Sequence, residues 1–204
     1  MKNSLLYRTA SVLFLFISLC AFPAPLKAQD VSSGEKTGVF LNEIGIGTGY
    51  AWGALKGDPE EQSVFPAFVR FGFNANSLFG IRSRTSTLQF TLEPFVNAFS
   101  GTEKGVEAGC GFGIRCLQEV ARPVDLFLEA SVAPMYYSID TLEQGASGFN
   151  FLDQIGAGLQ YRLAPGKAVF GGYRFRHISH AHVVSRSNDG INSSAFVLGF
   201  SWLY

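Results

Sequence analysis

The sequence predicts an all-β protein, an eight-stranded antiparallel transmembrane β-barrel. Three observations predict it. Eight strand-like runs, each about 10 to 16 residues, are separated by turn residues. Several runs alternate apolar and polar positions, and the polar face carries charges of both signs. Glycine (23) and phenylalanine (20) are abundant, the composition of short aromatic segments joined by tight turns.

The N-terminus reads as a targeting segment. Lys2 and Arg8 are basic, Val12 to Phe22 is apolar, and Leu26-Lys27-Ala28 precedes Gln29. The apolar run has about 11 residues, short of the roughly 20 that a membrane helix needs. A cleaved secretory signal over 1–28 and a barrel over 29–204 follow. No later stretch is long enough for a membrane helix, and no linker divides the chain.

The strand-like runs come in order. Polar residues 29–37 precede the first, 38–53, which ends at Lys56-Gly57-Asp58-Pro59. The second, 63–73, carries Arg70. The third, 87–99, sets Leu88, Phe90, Leu92 and Val96 opposite Gln89, Thr91, Glu93 and Asn97, and stops at Gly101. The fourth, 104–118, sets Val106, Ala108, Phe112 and Ile114 opposite Glu107, three glycines and Arg115. Its Gly109-x-Gly111-x-Gly113 mimics a nucleotide motif, but no helix follows, so small residues inside a narrow barrel explain it. Arg122-Pro123 opens the fifth, 123–138, with Val124, Leu126, Leu128, Ala130, Val132 and Tyr136 on one face and Asp125, Glu129 and Ser131 on the other. The sixth, 148–163, carries Asp153 on its apolar face. After Pro165-Gly166 the seventh, 167–180, alternates Val169, Tyr173 and Phe175 with Arg174 and Arg176. Asn188-Asp189-Gly190 leads into the eighth, 190–204, whose Phe196, Leu198, Phe200, Trp202 and Tyr204 share a face.

A soluble sandwich would also alternate. Strand length favours a membrane, because these runs suffice for tilted transmembrane strands. Eight is also the smallest even number that closes a membrane barrel. The mixed charges would then fill the interior and pair there. Lys plus Arg and Asp plus Glu are 16 each, so zero formal charge gives no case for nucleic acid. Of the three cysteines, Cys110 and Cys116 follow the signal. On one strand they lie roughly 20 Å apart, while a disulfide needs Cα atoms within about 7 Å, so two unpaired thiols are expected. Neither a metal nor a cofactor is indicated.

The aromatic C-terminus resembles that of bacterial outer-membrane barrels, which implies periplasmic termini. The seventh run then ends at the outer rim, near His177 and Ser179. Odd positions there continue the lipid-facing row of Val169, Tyr173 and Phe175. Residues i and i+2 of a strand point the same way, about 6.6 Å apart. A histidine in that position can act as general base for a serine nucleophile in acyl transfer.

The segment Tyr173-Arg174-Phe175-Arg176-His177-Ile178-Ser179, then Asn188-Asp189-Gly190-Ile191-Asn192 and a final aromatic strand, resembles the C-terminal signature of the outer-membrane lipid A 3-O-deacylase family (PagL-type, acyloxyacyl hydrolase-like). The resemblance implies an eight-stranded outer-membrane barrel that cuts an ester-linked acyl chain from the lipid A of lipopolysaccharide. It maps the base onto His177 and the nucleophile onto Ser179. Two positions depart from the family pattern. His180 follows the serine, where the family has an oxyanion-stabilising Asn. Asn192 stands where the best-known members have Glu. Asp153, brought across from His177 by the hairpin at Pro165-Gly166, is a substitute acid. Arg186, with Lys56 and Lys104, is a candidate contact for lipid A phosphates. The competing reading is a non-catalytic barrel with a structural or binding role. A channel is disfavoured, because eight strands leave an interior filled by side chains.

Overall fold

The computed structural model describes residues 38–56, 61–101 and 104–204; the expected signal peptide, 1–28, lies outside them. Eight strands follow in chain order: β1 (Phe40–Ala54), β2 (Glu61–Asn74), β3 (Ser86–Ser100), β4 (Gly105–Ala121), β5 (Val124–Tyr137), β6 (Gly148–Ala164), β7 (Lys167–Ser179) and β8 (Ile191–Leu203). Each pairs antiparallel with the next, and β8 returns to β1 from Glu43↔Leu203 to Trp52↔Ser194, which closes the barrel. Closure pairs the sheet's own edges, the condition for β-structure in lipid, where water cannot satisfy open backbone groups. Strands of 13 to 17 residues rise about 30–40 Å when tilted near 45°, enough to cross the hydrocarbon layer.

The alternation read from the sequence is the alternation of the two faces. Phe196, Leu198, Trp202, Tyr173, Phe175, Val132 and Val96 are exposed on the outside. Inside, the charges pair. Arg115 meets Glu43 at 3.0 Å. Arg174 reaches Glu93 and Glu129 at 2.7 Å each, and Arg70 shares both carboxylates. Arg176 bonds Glu107. Aromatic rings fill the space between: Arg115 lies over Phe127 at 4.1 Å, and Arg70 and Arg174 lie over Phe170 and Phe68 at 4.8 Å. Gly199 makes room for this layer, because a Cβ there would sit 2.3 Å from Phe170 Cζ.

The two ends differ. Two-residue turns, 122–123 and 165–166, join strands at the end where the barrel chain starts and finishes, together with the longer β2–β3 connection. At the other end, the loop end, the β5–β6 and β7–β8 connections span 138–147 and 180–190. Cys110 is a free thiol, whereas Cys116 is disulfide-bonded. That corrects the expectation of two unpaired thiols. The spacing argument excluded only the pairing of these two with each other, and they are not paired.

Candidate functional site

β7 reaches the loop end with its two faces sorted. Arg176, Ile178 and His180 are buried inside, while His177 and Ser179 are part-exposed on the outward row that begins at Val169. β7 pairs with β6 through Asp153↔His177 and Phe151↔Ser179, and with β8 through His177↔Asn192. Asp153, His177 and Asn192 therefore stand side by side on three neighbouring strands. Asp153 and Asn192 are exposed on the same outer face. The tight hairpin at Pro165-Gly166, which pairs Ala164 with Lys167, would by itself set Asp153 opposite Ile178; a bulge between Arg162 and Ala164 shifts the register by one and brings it opposite His177.

His177 Nδ1 lies 2.7 Å from Asn192 Oδ1. An amide oxygen only accepts, so Nδ1 carries the proton and donates it, and Nε2 keeps its lone pair. This is the tautomer a general base needs. Ser179 shares the face two residues on, although no hydrogen bond joins the two side chains among the described residues. The imidazole is also fixed from behind. Gly190 has φ +80°, and a Cβ built on it would fall 2.5 Å from His177 Cε1. Only glycine both takes that conformation freely and leaves room for the ring.

The loops form a cap over the barrel mouth. Arg186 donates from Nη1 to Ala146 O and to Ser147 O (3.0 Å), and from Nη2 to Phe149 O (2.5 Å), tying the β7–β8 loop to the β5–β6 loop. Ser187 Oγ adds a bond to Leu142 O at 3.0 Å. Lys56 Nζ pairs with Asp189 Oδ2 at 2.6 Å, which holds its ammonium above the ordinary lysine range. Glu143, buried beneath, accepts the Lys56 N–H on its carboxylate and the Asp189 N–H on its carbonyl oxygen (2.8 Å).

These contacts change two expectations. Arg186 Nη1 and Nη2 are taken up by backbone carbonyls, which latches the two loops together. Lys56 is paired as well, while Lys104 stays exposed. His180 is 0% exposed and faces the interior. Its Nε2 donates to Ser187 O (2.8 Å), and its backbone N–H donates to Asn188 Oδ1 (2.9 Å). Its ring is on the opposite face from Ser179, as strand alternation dictates, so it is not an oxyanion donor. The chain just beyond is strained: Val183 N–H bonds His180 O (2.9 Å) around Ala181 (φ 49°) and His182 (φ 59°). Two left-handed non-glycine residues cost about 1–3 kcal/mol each. The parts missed in the sequence were Gly190 and the Lys56–Glu143–Asp189 staple. The Asn-Asp-Gly turn was the available signal for the first.

Fold and site together define a class: a membrane β-barrel that carries a histidine–serine constellation on its outer wall at the loop end. A family model described as lipid A 3-O-deacylase (PagL) matches residues 68–201, and the chain belongs to that family. Among solved structures, the crystal structure of Neisserial surface protein A is similar at 14% identity and a TM-score of 0.58. The match covers 82% of this chain and 99% of that one. The crystal structure of the outer membrane enzyme PagL is similar at 21% identity and a TM-score of 0.52, covering 77% of this chain and 97% of that one. At such identities these two likenesses speak for the barrel fold. No curated protein matches the sequence.

Proposed function

We propose that the protein is an outer-membrane esterase that removes the 3-O-linked acyl chain of lipid A, with Ser179 as nucleophile and His177 as general base. The observation that carries the reading is the 2.7 Å bond from His177 Nδ1 to Asn192 Oδ1 on the lipid-facing wall. It leaves the Nε2 lone pair available to take the serine proton. Family membership supplies the substrate class. The longer loops at the site's end favour the cell-surface side, as in outer-membrane barrels generally, and on this reading the site faces the leaflet that holds lipid A.

In this mechanism Ser179 Oγ attacks the ester carbonyl while His177 Nε2 takes the hydroxyl proton. The tetrahedral oxyanion is stabilised by the backbone N–H of Ala181 or His182, since the His180 ring points away and its own N–H is held by Asn188 Oδ1. Collapse breaks the ester C–O bond, and His177 returns the proton to the departing sugar hydroxyl. Water, deprotonated by His177, then releases the fatty acid from Ser179. Asn192 fixes the ring and its tautomer. Asp153, beside His177 in the ladder, supplies the negative charge that an amide lacks.

The test is mass spectrometry of lipid A from cells with and without the protein, beside Ser179→Ala. Loss of one acyl chain with the parent protein only supports the esterase. Identical lipid A from parent and Ser179→Ala cells ends that reading. It would favour a non-catalytic barrel with a structural or binding role, a reading encouraged by one observation, the amide in place of an acid at Nδ1.

A further inference from the structure

At the end of the barrel away from the candidate site, the β2–β3 connection, residues 75–85, is a built surface. Its backbone is pinned on both sides. Asn76 Nδ2 donates to Ser86 O (2.8 Å), Asn76 Oδ1 accepts from Leu88 N (2.7 Å), and Ile81 N bonds Asn76 O (2.9 Å). Ser77 Oγ holds Gly38 through its carbonyl (2.8 Å) and its N–H (2.9 Å). The connection nevertheless presents two large apolar side chains to the surroundings, Leu78 at 62% and Phe79 at 53% exposure. Phe79 stacks edge-on against Phe90 at 6.1 Å, and Phe90 belongs to the lipid-facing row of β3. The apolar wall of the barrel thus continues onto this loop.

Arg82 and Arg84 follow at once, both exposed. They differ from every other arginine among the described residues. Arg70, Arg115, Arg122, Arg162, Arg174 and Arg176 each have a carboxylate partner, and Arg186 has carbonyls. Among the described residues, Arg82 and Arg84 make no ion pair or hydrogen bond with side chains or carbonyls. Two exposed apolar residues that continue the outward apolar row, next to two uncommitted guanidinium groups, are the arrangement that seats on a lipid surface and takes phosphate from it.

We propose that residues 75–85 form an interfacial anchor that binds the headgroup phosphate of anionic glycerophospholipids. Leu78 and Phe79 enter the acyl boundary, and Arg82 and Arg84 bond the phosphate above it. The proposal does not depend on the esterase reading. That reading only names the leaflet, the one facing away from lipid A. A barrel held this way has its tilt and depth fixed at the far end from the site.

The test uses the purified protein in nanodiscs of mixed phosphatidylcholine and phosphatidylglycerol, free of lipid A, with native mass spectrometry of the lipids retained. The expected result is preferential retention of phosphatidylglycerol, falling about fivefold per arginine in Arg82→Gln and Arg84→Gln, with the preference kept in the double lysine variant. An unchanged lipid ratio in the double glutamine variant overturns the proposal. So does loss through Arg84→Gln alone with Arg82→Gln silent. That pattern would move binding into the polar cavity of about 180 Å³ at this end, which Arg84 lines with Arg162 and Glu119. With Trp52 and Trp202 both replaced by phenylalanine, the emission of Leu78→Trp is expected to be quenched by brominated phospholipid, and an unquenched emission overturns the apolar half. Heat-modifiable gel migration reports that each variant is folded.

Discussion

Replacing Asn192 by aspartate keeps the shape of the side chain and adds a charge to the oxygen that accepts the His177 Nδ1–H at 2.7 Å. In the proposed acylation step His177 takes a proton on Nε2 and becomes an imidazolium. A carboxylate with its charge about 4 Å from that ring stabilises it by about 1 kcal/mol in water and about 4 kcal/mol at an effective dielectric of 20. Asn192 is exposed, but at a lipid boundary, so the gain falls between those limits. In rate this is about fivefold to a thousandfold in kcat. Asn192→Ala should act in the opposite direction, by about ten- to a hundredfold, since the hydrogen bond that selects the tautomer is lost. Asp153 already sets a carboxylate beside the ring, so each substitution is made in the parent and in Asp153→Asn. The gain from Asn192→Asp is expected to be larger in the second background. The assay is the initial rate of fatty acid release from lipid A in detergent or vesicles. If Asn192→Asp is no faster than its parent in either background while still folding, Asn192 does not orient a catalytic base.

Other outcomes follow from the same geometry. Gly190→Ala drives a methyl group into His177 Cε1, so the ring must move, and a displacement near 1 Å costs about a hundredfold in kcat. The check is that rate together with the unchanged gel mobility of the folded barrel. Glu93→Gln leaves Arg70 and Arg174 short of a buried partner and should destabilise the barrel by about 3–5 kcal/mol, read from denaturant unfolding in lipid vesicles. Glu143→Ala removes the acceptor that holds Lys56 against the cap. Trypsin cleavage in the loops is expected to speed up about tenfold, the effect of one charged hydrogen bond on a local opening equilibrium.

Much of this arrangement could be read from residue order, because a barrel wall obeys a period of two. That period sorted Val169, Tyr173 and Phe175 to the outside, and the same count carried His177 and Ser179 there and His180 inward. A two-residue hairpin fixes register, and Pro165-Gly166 alone would set Asp153 opposite Ile178; the bulge between Arg162 and Ala164 that moves the pairing to His177 left no mark in the residue order. The cap was not legible. Arg186 bonds three carbonyls from a loop some forty residues earlier, and side-chain-to-backbone contacts at that range leave no periodic trace. Glu43 escaped notice for a different reason. It sits in a β1 run rich in glycine, where alternation is weak, and its role appears only when β8 closes on β1 and brings Ser201 and Arg115 to it.

On the proposed esterase reading, the outward direction of the Asp153–His177–Asn192 row also decides how the protein meets its substrate. A filled barrel admits nothing through its axis, so encounters take place by lateral diffusion within a leaflet, in two dimensions. Turnover then depends on the mole fraction of acylated lipid around the wall and not on its concentration in the bulk phase. Diluting lipid A with an inert amphiphile at constant total lipid A should slow the reaction, and a Michaelis constant for such an enzyme has meaning only in surface units.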